Sequence, residues 1–174
     1  ALLAVSVSRA PGCRAAKVIG CVAATAGLYN LTSLWLMTDG LPDKAYLLGG
    51  RVAYLLASAS SVSWVWFAYM PPDAARPRWP RSVQWFTAAT ATASVGFAVT
   101  GLHLHQQISI VEVPWAGVRY HYPLTTGIGN VYGLGLLLLL GIALGRFVSR
   151  IRSGEPRLVR YVVGFAVFYL CAVD

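Results

Sequence analysis

Four long apolar stretches alternate with short polar ones along the chain. Residues 18–37 carry no charge, 45–70 carry only Arg51, 82–104 only His103, and 124–148 only Arg146, near the end of the run. A hydrocarbon core of about 30 Å is crossed by roughly 20 helical residues at about 1.5 Å each, so each stretch predicts a membrane-spanning helix. Residues 1–8 and 161–173 are apolar but too short, and they read as pieces of two further spans, with both ends of the chain looking cut. The breaks contain the residues that stop helices and make turns: Asp39-Gly40-Leu41-Pro42-Asp43, Pro71-Pro72-Asp73 and Ser153-Gly154-Glu155-Pro156. Residues 106–122 follow another period. Ile108, Ile110 and Glu112 alternate before Pro114-Trp115-Ala116-Gly117, and Val118, Tyr120 and Tyr122 alternate after it, which predicts a short β-hairpin or ordered flap.

Composition supports a membrane solvent. Hydrophobic residues make up 57% and charged residues 11%, with a mean hydropathy of +0.61. A soluble domain has about a quarter charged residues. The six tryptophans lie near predicted span ends or in loops, where an amphipathic ring prefers the headgroup zone. Cys13, Cys21 and Cys171 have no paired spacing, which indicates neither a disulfide framework nor a metal knuckle.

The positive charge is not spread evenly. Arg9, Arg14 and Lys17, then Arg76, Arg78 and Arg81, then Arg146, Arg150, Arg152, Arg157 and Arg160 form three basic segments, each separated from the next by two apolar stretches. Short loops rich in Lys and Arg stay in the cytoplasm. With Arg14, Lys17, Arg76, Arg78, Arg81, Arg150 and Arg152 as topology markers, residues 1–8 run inward and 161–173 run outward. A cut first helix, four whole ones, a cut sixth and an implied seventh give an N-out, C-in seven-helix bundle. The net charge of +8 falls at span ends and not on one face, which excludes a nucleic-acid partner and leaves the lipid bilayer.

A few residues could carry chemistry. Arg51 is a charge inside a span; it either snorkels to water or pairs with Asp39, Asp43 or Glu112. His103, His105 and His121 all fall on the predicted external side, either as interfacial side chains or as a cluster able to sense pH or hold a divalent metal. Spacing does not put His103 and His105 on one helix face, so no metal is assigned. Haem ligation needs histidines at matched depths on facing helices, which this pattern lacks, and no cofactor is expected. Gly129, Gly133, Gly141 and Gly145 recur at spacings of four or eight, suited to close helix packing inside the bundle or to a dimer face. The run Ser58-Ala59-Ser60-Ser61-Val62-Ser63 offers a small, weakly polar surface for packing or for lining a cavity. No nucleophile and base, phosphate loop or paired carboxylate is present, so enzymatic activity is not expected within these residues.

The order of these features resembles the N-terminal seven-helix sensor region that precedes bacterial histidine kinases and diguanylate cyclases. The resemblance lies in Arg51 near the start of its helix, in the aromatic stretch Trp64-Val65-Trp66-Phe67-Ala68-Tyr69-Met70-Pro71 with a basic loop after it, in Tyr122-Pro123 before a Gly/Leu-rich helix, and in Arg157-Leu158-Val159-Arg160-Tyr161. It implies one transmembrane sensor domain over residues 1–174, in the bacterial cytoplasmic membrane, with a cytoplasmic output domain in cis and a possible homodimer. The expected fold is an all-α polytopic helical bundle, a fragment of a seven-helix bundle, with an external hairpin-like segment. Arg51, Glu112, His103, His105 and His121 are the candidate sensing residues. The rival readings are a small-solute transporter or channel subunit, for which no internal repeat is evident, and a membrane-embedded haem or redox protein.

Overall fold

A computed structural model describes residues 14–70, 79–115 and 117–172. The span expected at 1–8, Arg9, Cys13, Arg76, Arg78 and the turn at Pro71-Pro72-Asp73 lie outside the described residues. The chain is mostly helical with one small antiparallel sheet. Helix α1 is Arg14–Leu36, α2 Asp43–Tyr69, α3 Arg81–Thr100 and α4 Gly127–Arg152, followed by a 3-10 turn at Pro156–Leu158 and α5, Val159–Ala172. Strands β1 (Leu104–Val113) and β2 (Val118–Thr125) form a hairpin between α3 and α4.

Several hydroxyls are satisfied within their own helices, as suits a chain in an apolar solvent. Thr32 donates to the Leu28 carbonyl (3.0 Å), Ser61 to Ala57 (2.8 Å) and Thr90 to Phe86 (2.8 Å), so these hydroxyls sit within helices without needing water. The ends follow local chemistry. Met70 is extended (φ −80°, ψ 116°) because a residue before proline avoids the helical region. Gly101 ends α3 in the left-handed conformation (φ 73°), its N–H bonded to the Phe97 carbonyl at 2.8 Å. Thr126 caps α4 by accepting the Gly129 N–H at 3.1 Å.

Lys17–Leu36, Asp43–Tyr69 and Gly127–Arg152 are each long and apolar enough to cross a membrane. Four spans were expected; Arg81–Thr100 is not among the three, because Gln84, Thr87, Thr90, Thr92, Ser94 and Thr100 dilute its apolar character. The helix also stops short of the expected residue 104, since the chain turns at Gly101 to enter β1. The flap expected at 106–122 is a hairpin, with Ser109 opposite Tyr122, Val111 opposite Tyr120 and Val113 opposite Val118. Its register is irregular between Leu104 and Ile108, beside Pro123, which has no N–H to give the ladder.

Helix α2 lies at the centre, packed on α1, α3, α4 and both strands. The tight core belongs to the end away from the hairpin. Val18 and Val22 of α1, Trp64, Val65, Phe67 and Ala68 of α2, Leu139, Ala143 and Phe147 of α4, Leu158 and Phe165 form one buried cluster. Its rings meet edge to face: Trp64 with Phe147 at 5.9 Å, Trp64 with Phe165 at 5.0 Å and Phe67 with Tyr161 at 5.1 Å. The exposed side chains Leu28, Leu31 and Leu34 on α1 and Val131, Leu134 and Leu138 on α4 form the apolar surfaces a bilayer would cover.

At this core end Arg150 is a clamp. Its Nε and Nη2 hold both Glu155 carboxylate oxygens, and Nη1 donates to the carbonyls of Ala68 (3.2 Å) and Met70 (3.0 Å) at the end of α2. Lys17, Arg81 and Arg152 are exposed, as topology charges should be, whereas Arg150 is buried and spent on holding helices together.

The glycine stripe on α4 does not act as one surface. A Cβ at Gly129 would meet the His103 carbonyl oxygen at 2.2 Å, so α4 crosses the start of the hairpin there. A Cβ at Gly133, Gly141 or Gly145 would meet nothing within 4 Å among the described residues. Of these four glycines only Gly129 makes a close approach among the described residues, and it is to the turn before β1 and not to another helix.

Candidate functional site

The end of the bundle that carries the hairpin is built differently. Where the core end is filled with rings, this end holds a cavity of about 230 Å³ between α1, α2, α4 and the sheet. Helix α2 supplies a strip of small residues, Gly50, Ala53 and Ala57, flanked by Tyr54; α1 supplies Tyr29 and Leu36, the hairpin Leu104, Tyr120, Tyr122 and Pro123, and α4 Leu136. Gly50 is required for this arrangement, since a Cβ there would stand 2.8 Å from Pro123 Cγ and 3.1 Å from Leu104 Cδ1. The base of the hairpin thus rests on the α2 backbone. Among the described residues four tyrosines face the space and no charged side chain lines it. The rings of Tyr120 and Tyr122 are 6.3 Å apart, and the hydroxyls of Tyr54 and Tyr122 interact. Burial raises the Tyr120 phenol above its ordinary 10.0, with Tyr29 adding to the effect, so it stays protonated through the neutral range.

Two polar contacts fix the hairpin over this cavity. In the first, His121 Nε2 meets Asp39 Oδ1 at 2.8 Å, and its ring stacks on Tyr46 (4.3 Å between centroids, 11° between planes). Tyr46 in turn donates to the Thr38 carbonyl at 2.8 Å and accepts the Leu41 N–H at 3.2 Å, tying the α1–α2 turn to β2. In the second, Thr126 N–H donates to the His103 carbonyl (3.0 Å) and Thr126 Oγ1 to that of Leu102 (3.0 Å), joining the start of α4 to the end of α3.

Arg51 belongs to that second contact. The expected carboxylate partners are engaged elsewhere or apart from it: Asp39 holds His121, Glu112 meets Arg119 across the hairpin at 3.5 Å with both side chains exposed, and Asp43 sits exposed in the first turn of α2. Arg51 instead reaches the Val99 carbonyl (3.4 Å) at the C-terminus of α3, and its guanidinium occupies the space beside Gly101. A helix C-terminus carries partial negative charge, which serves a cation in place of a carboxylate.

His103 lies next to it. The side chain is fully buried, and neither ring nitrogen has a hydrogen-bond partner among the described residues. Its neighbours are the rings of Tyr54 (4.8 Å) and Phe97 (5.4 Å). Burial lowers its pKa from 6.5 and the Arg51 charge lowers it further, while the Phe97 carbonyl, near the ring but outside hydrogen-bond geometry, opposes both. The imidazole is neutral in the folded protein at neutral pH. The pH dependence follows from the sign of this shift. The unfolded chain takes up a proton as pH falls below about 6.5, the folded chain resists it, and stability present above that value declines below it. Replacing His103 with leucine is expected to change stability little at pH 7.5, because no hydrogen bond is lost, and to flatten the loss between pH 7.5 and 5.5 seen in thermal unfolding. An unchanged pH profile in His103→Leu would refute this assignment.

The three histidines are not brought together. His103 is inside the α3–α4 junction, His121 is in the Asp39 and Tyr46 contact, and His105 is exposed on β1. No group of three His, Cys, Asp or Glu side chains that could hold a metal occurs among the described residues. The serines of α2 do face inward: Ser58, Ser60 and Ser61 are buried, as are Thr87, Thr90 and Ser94 of α3, and Tyr132 of α4 lies beside Ser58 and Ser94. The cavity tyrosines escaped the sequence reading. Their signal was present in Tyr120 and Tyr122 on one face of β2, and in Gly50, Ala53 and Ala57 on one face of α2.

Comparison of the chain with protein-family models, with curated proteins and with solved structures gave no match. The site is therefore read from its own chemistry.

Proposed function

We propose that this chain is the membrane-embedded input module of a bacterial signal-transduction protein, part of an N-out, C-in seven-helix bundle in the cytoplasmic membrane. A stimulus received at the hairpin end alters helix packing and is passed to a cytoplasmic histidine kinase or diguanylate cyclase domain in cis, with a homodimer as the working unit. The observation that carries this reading is the contrast between the two ends: a filled aromatic core at the basic end and a tyrosine-lined cavity under the hairpin at the other. The basic segments put the core end inside, next to the output. A stimulus works only by favouring one packing over another, and an unfilled region beside movable polar contacts is where two packings can differ. Arg51 and His121 hold those contacts in this reading. The test is the reading frame beyond Asp174. One further apolar span followed by a kinase or cyclase domain supports the proposal. Further spans with no soluble domain overturn it in favour of a transporter or channel subunit.

A further inference from the structure

The lining of the cavity narrows the class of molecule that it takes. No charged side chain among the described residues faces it, and the nearby cation, Arg51, is turned to the end of α3. The space also runs deep. Ala57 lies roughly 20 Å along α2 from the hairpin end at about 1.5 Å per residue, well within a membrane span. An ion brought to that depth without a partner loses its hydration uncompensated, which disfavours carboxylates, phosphates and ammonium groups alike. A molecule dissolved in the bilayer reaches this depth without crossing water.

The hydrogen-bonding groups of the lining are phenols. Along the Gly50, Ala53 and Ala57 strip the helix carbonyls are engaged in α2 itself, whereas Tyr29, Tyr54, Tyr120 and Tyr122 each bring an O–H. Each phenol can donate to a ligand oxygen, and the contact between Tyr54 and Tyr122 leaves at least one O–H of that pair free to do so. Phenol rings opposite a strip of helix almost without side chains favour a flat occupant that can stack. A volume of about 230 Å³ suits a single substituted ring and not a folded peptide or a sugar chain.

We propose that the tyrosine-lined cavity binds an uncharged, planar, membrane-dissolved molecule bearing carbonyl oxygen acceptors, the chemistry of a substituted benzoquinone head. The carbonyl oxygens accept from the Tyr54 and Tyr122 hydroxyls, which exchange their mutual contact for the ligand, the ring lies against Ala53 and Ala57, and an alkyl tail leaves toward the lipid. Binding alone is proposed, with no electron transfer. The inference rests on the input-module reading only for its consequence, since occupancy can be measured without any output.

The experiment uses the full-length protein in lipid nanodiscs, titrated with a decyl-substituted benzoquinone while tryptophan emission is recorded. Trp35 lies beside Gly49 at this end of the bundle and is positioned to report quenching. Saturable quenching is expected, weakened at least tenfold in Tyr54→Phe/Tyr122→Phe, which keeps the rings and removes two donors. It is expected to vanish in Ala57→Phe, which fills the space. Should Ala57→Phe fail to fold, the phenylalanine pair, with circular dichroism and membrane insertion matching the parent, decides the matter alone. Non-saturable quenching, or equal affinity in the phenylalanine pair, overturns the proposal. So does equal competition by decyltrimethylammonium, which would make the tyrosines a cage for a cation. The two readings fail separately. Quinone binding that leaves helix packing unmoved sinks the input function, and packing that responds to Ala57→Phe without quinone binding sinks the ligand class.

Discussion

Gly129→Ala is expected to destabilise the protein by about 2–3 kcal/mol, whereas Gly133→Ala, four residues along the same helix, is expected to be neutral or slightly stabilising. The added methyl at position 129 would stand 2.2 Å from the His103 carbonyl oxygen. That oxygen already accepts the Thr126 N–H at 3.0 Å, so it cannot yield without releasing the start of α4 from the end of α3. The propensity gain from alanine, about 1 kcal/mol, offsets only part of this. At Gly133 the methyl meets nothing described within 4 Å, and the propensity term stands alone. Unfolding of both variants in bicelles checks the contrast. Equal stabilities would mean that α4 does not cross the hairpin base as described.

The second large effect concerns the opposite end. Arg150→Ala is expected to cost about 3 kcal/mol, and Arg150→Lys most of that, because an ammonium cannot reach Glu155 and two α2 carbonyls in the planar geometry of a guanidinium. The figure lies at the low end for losing one partner of a buried pair, since the Glu155 side chain is 35% exposed and screened. Hydrogen bonding from Arg150 holds the Glu155 carboxyl below its ordinary 4.5. A lowered carboxyl pKa contributes stability that is present above 4.5 and lost as pH falls through the folded-state value. Acid sensitivity below pH 4.5 should therefore diminish in Glu155→Gln, with thermal unfolding against pH as the measurement. An Arg150→Ala variant as stable as the parent would reduce this residue to the topology marker its sequence position suggested.

How much was legible in the sequence follows from which forces are local. Hydropathy runs and their Gly, Pro and Asp breaks located every described helix to within a few residues, because helix formation in an apolar solvent is decided by the segment itself. The hairpin was legible for a similar reason: the period changes to two on both sides of Pro114-Trp115-Ala116-Gly117. The partners of Arg51 were not. A backbone carbonyl at a helix end leaves no mark in composition, so carboxylates were sought where the end of α3 served. The glycines of α4 show the limit of spacing as evidence, since four share one pattern and only Gly129 meets a neighbour among the described residues. The cavity depends on what three helices and a sheet leave unfilled, which is a property of their meeting and of no single segment.

The central claim is that the cavity under the hairpin and the packing of the basic end are coupled. The most direct measurement places spin labels at Lys17 and Ser153, both exposed at the basic end, in a background with Cys13, Cys21 and Cys171 replaced by serine. Distances between the labels are then compared for the parent, for Ala57→Phe and for Leu28→Phe, which places the same ring on the exposed face of α1. Coupling predicts that Ala57→Phe shifts the distance distribution while Leu28→Phe leaves it as in the parent. Identical distributions for all three, in protein correctly inserted, would contradict the account.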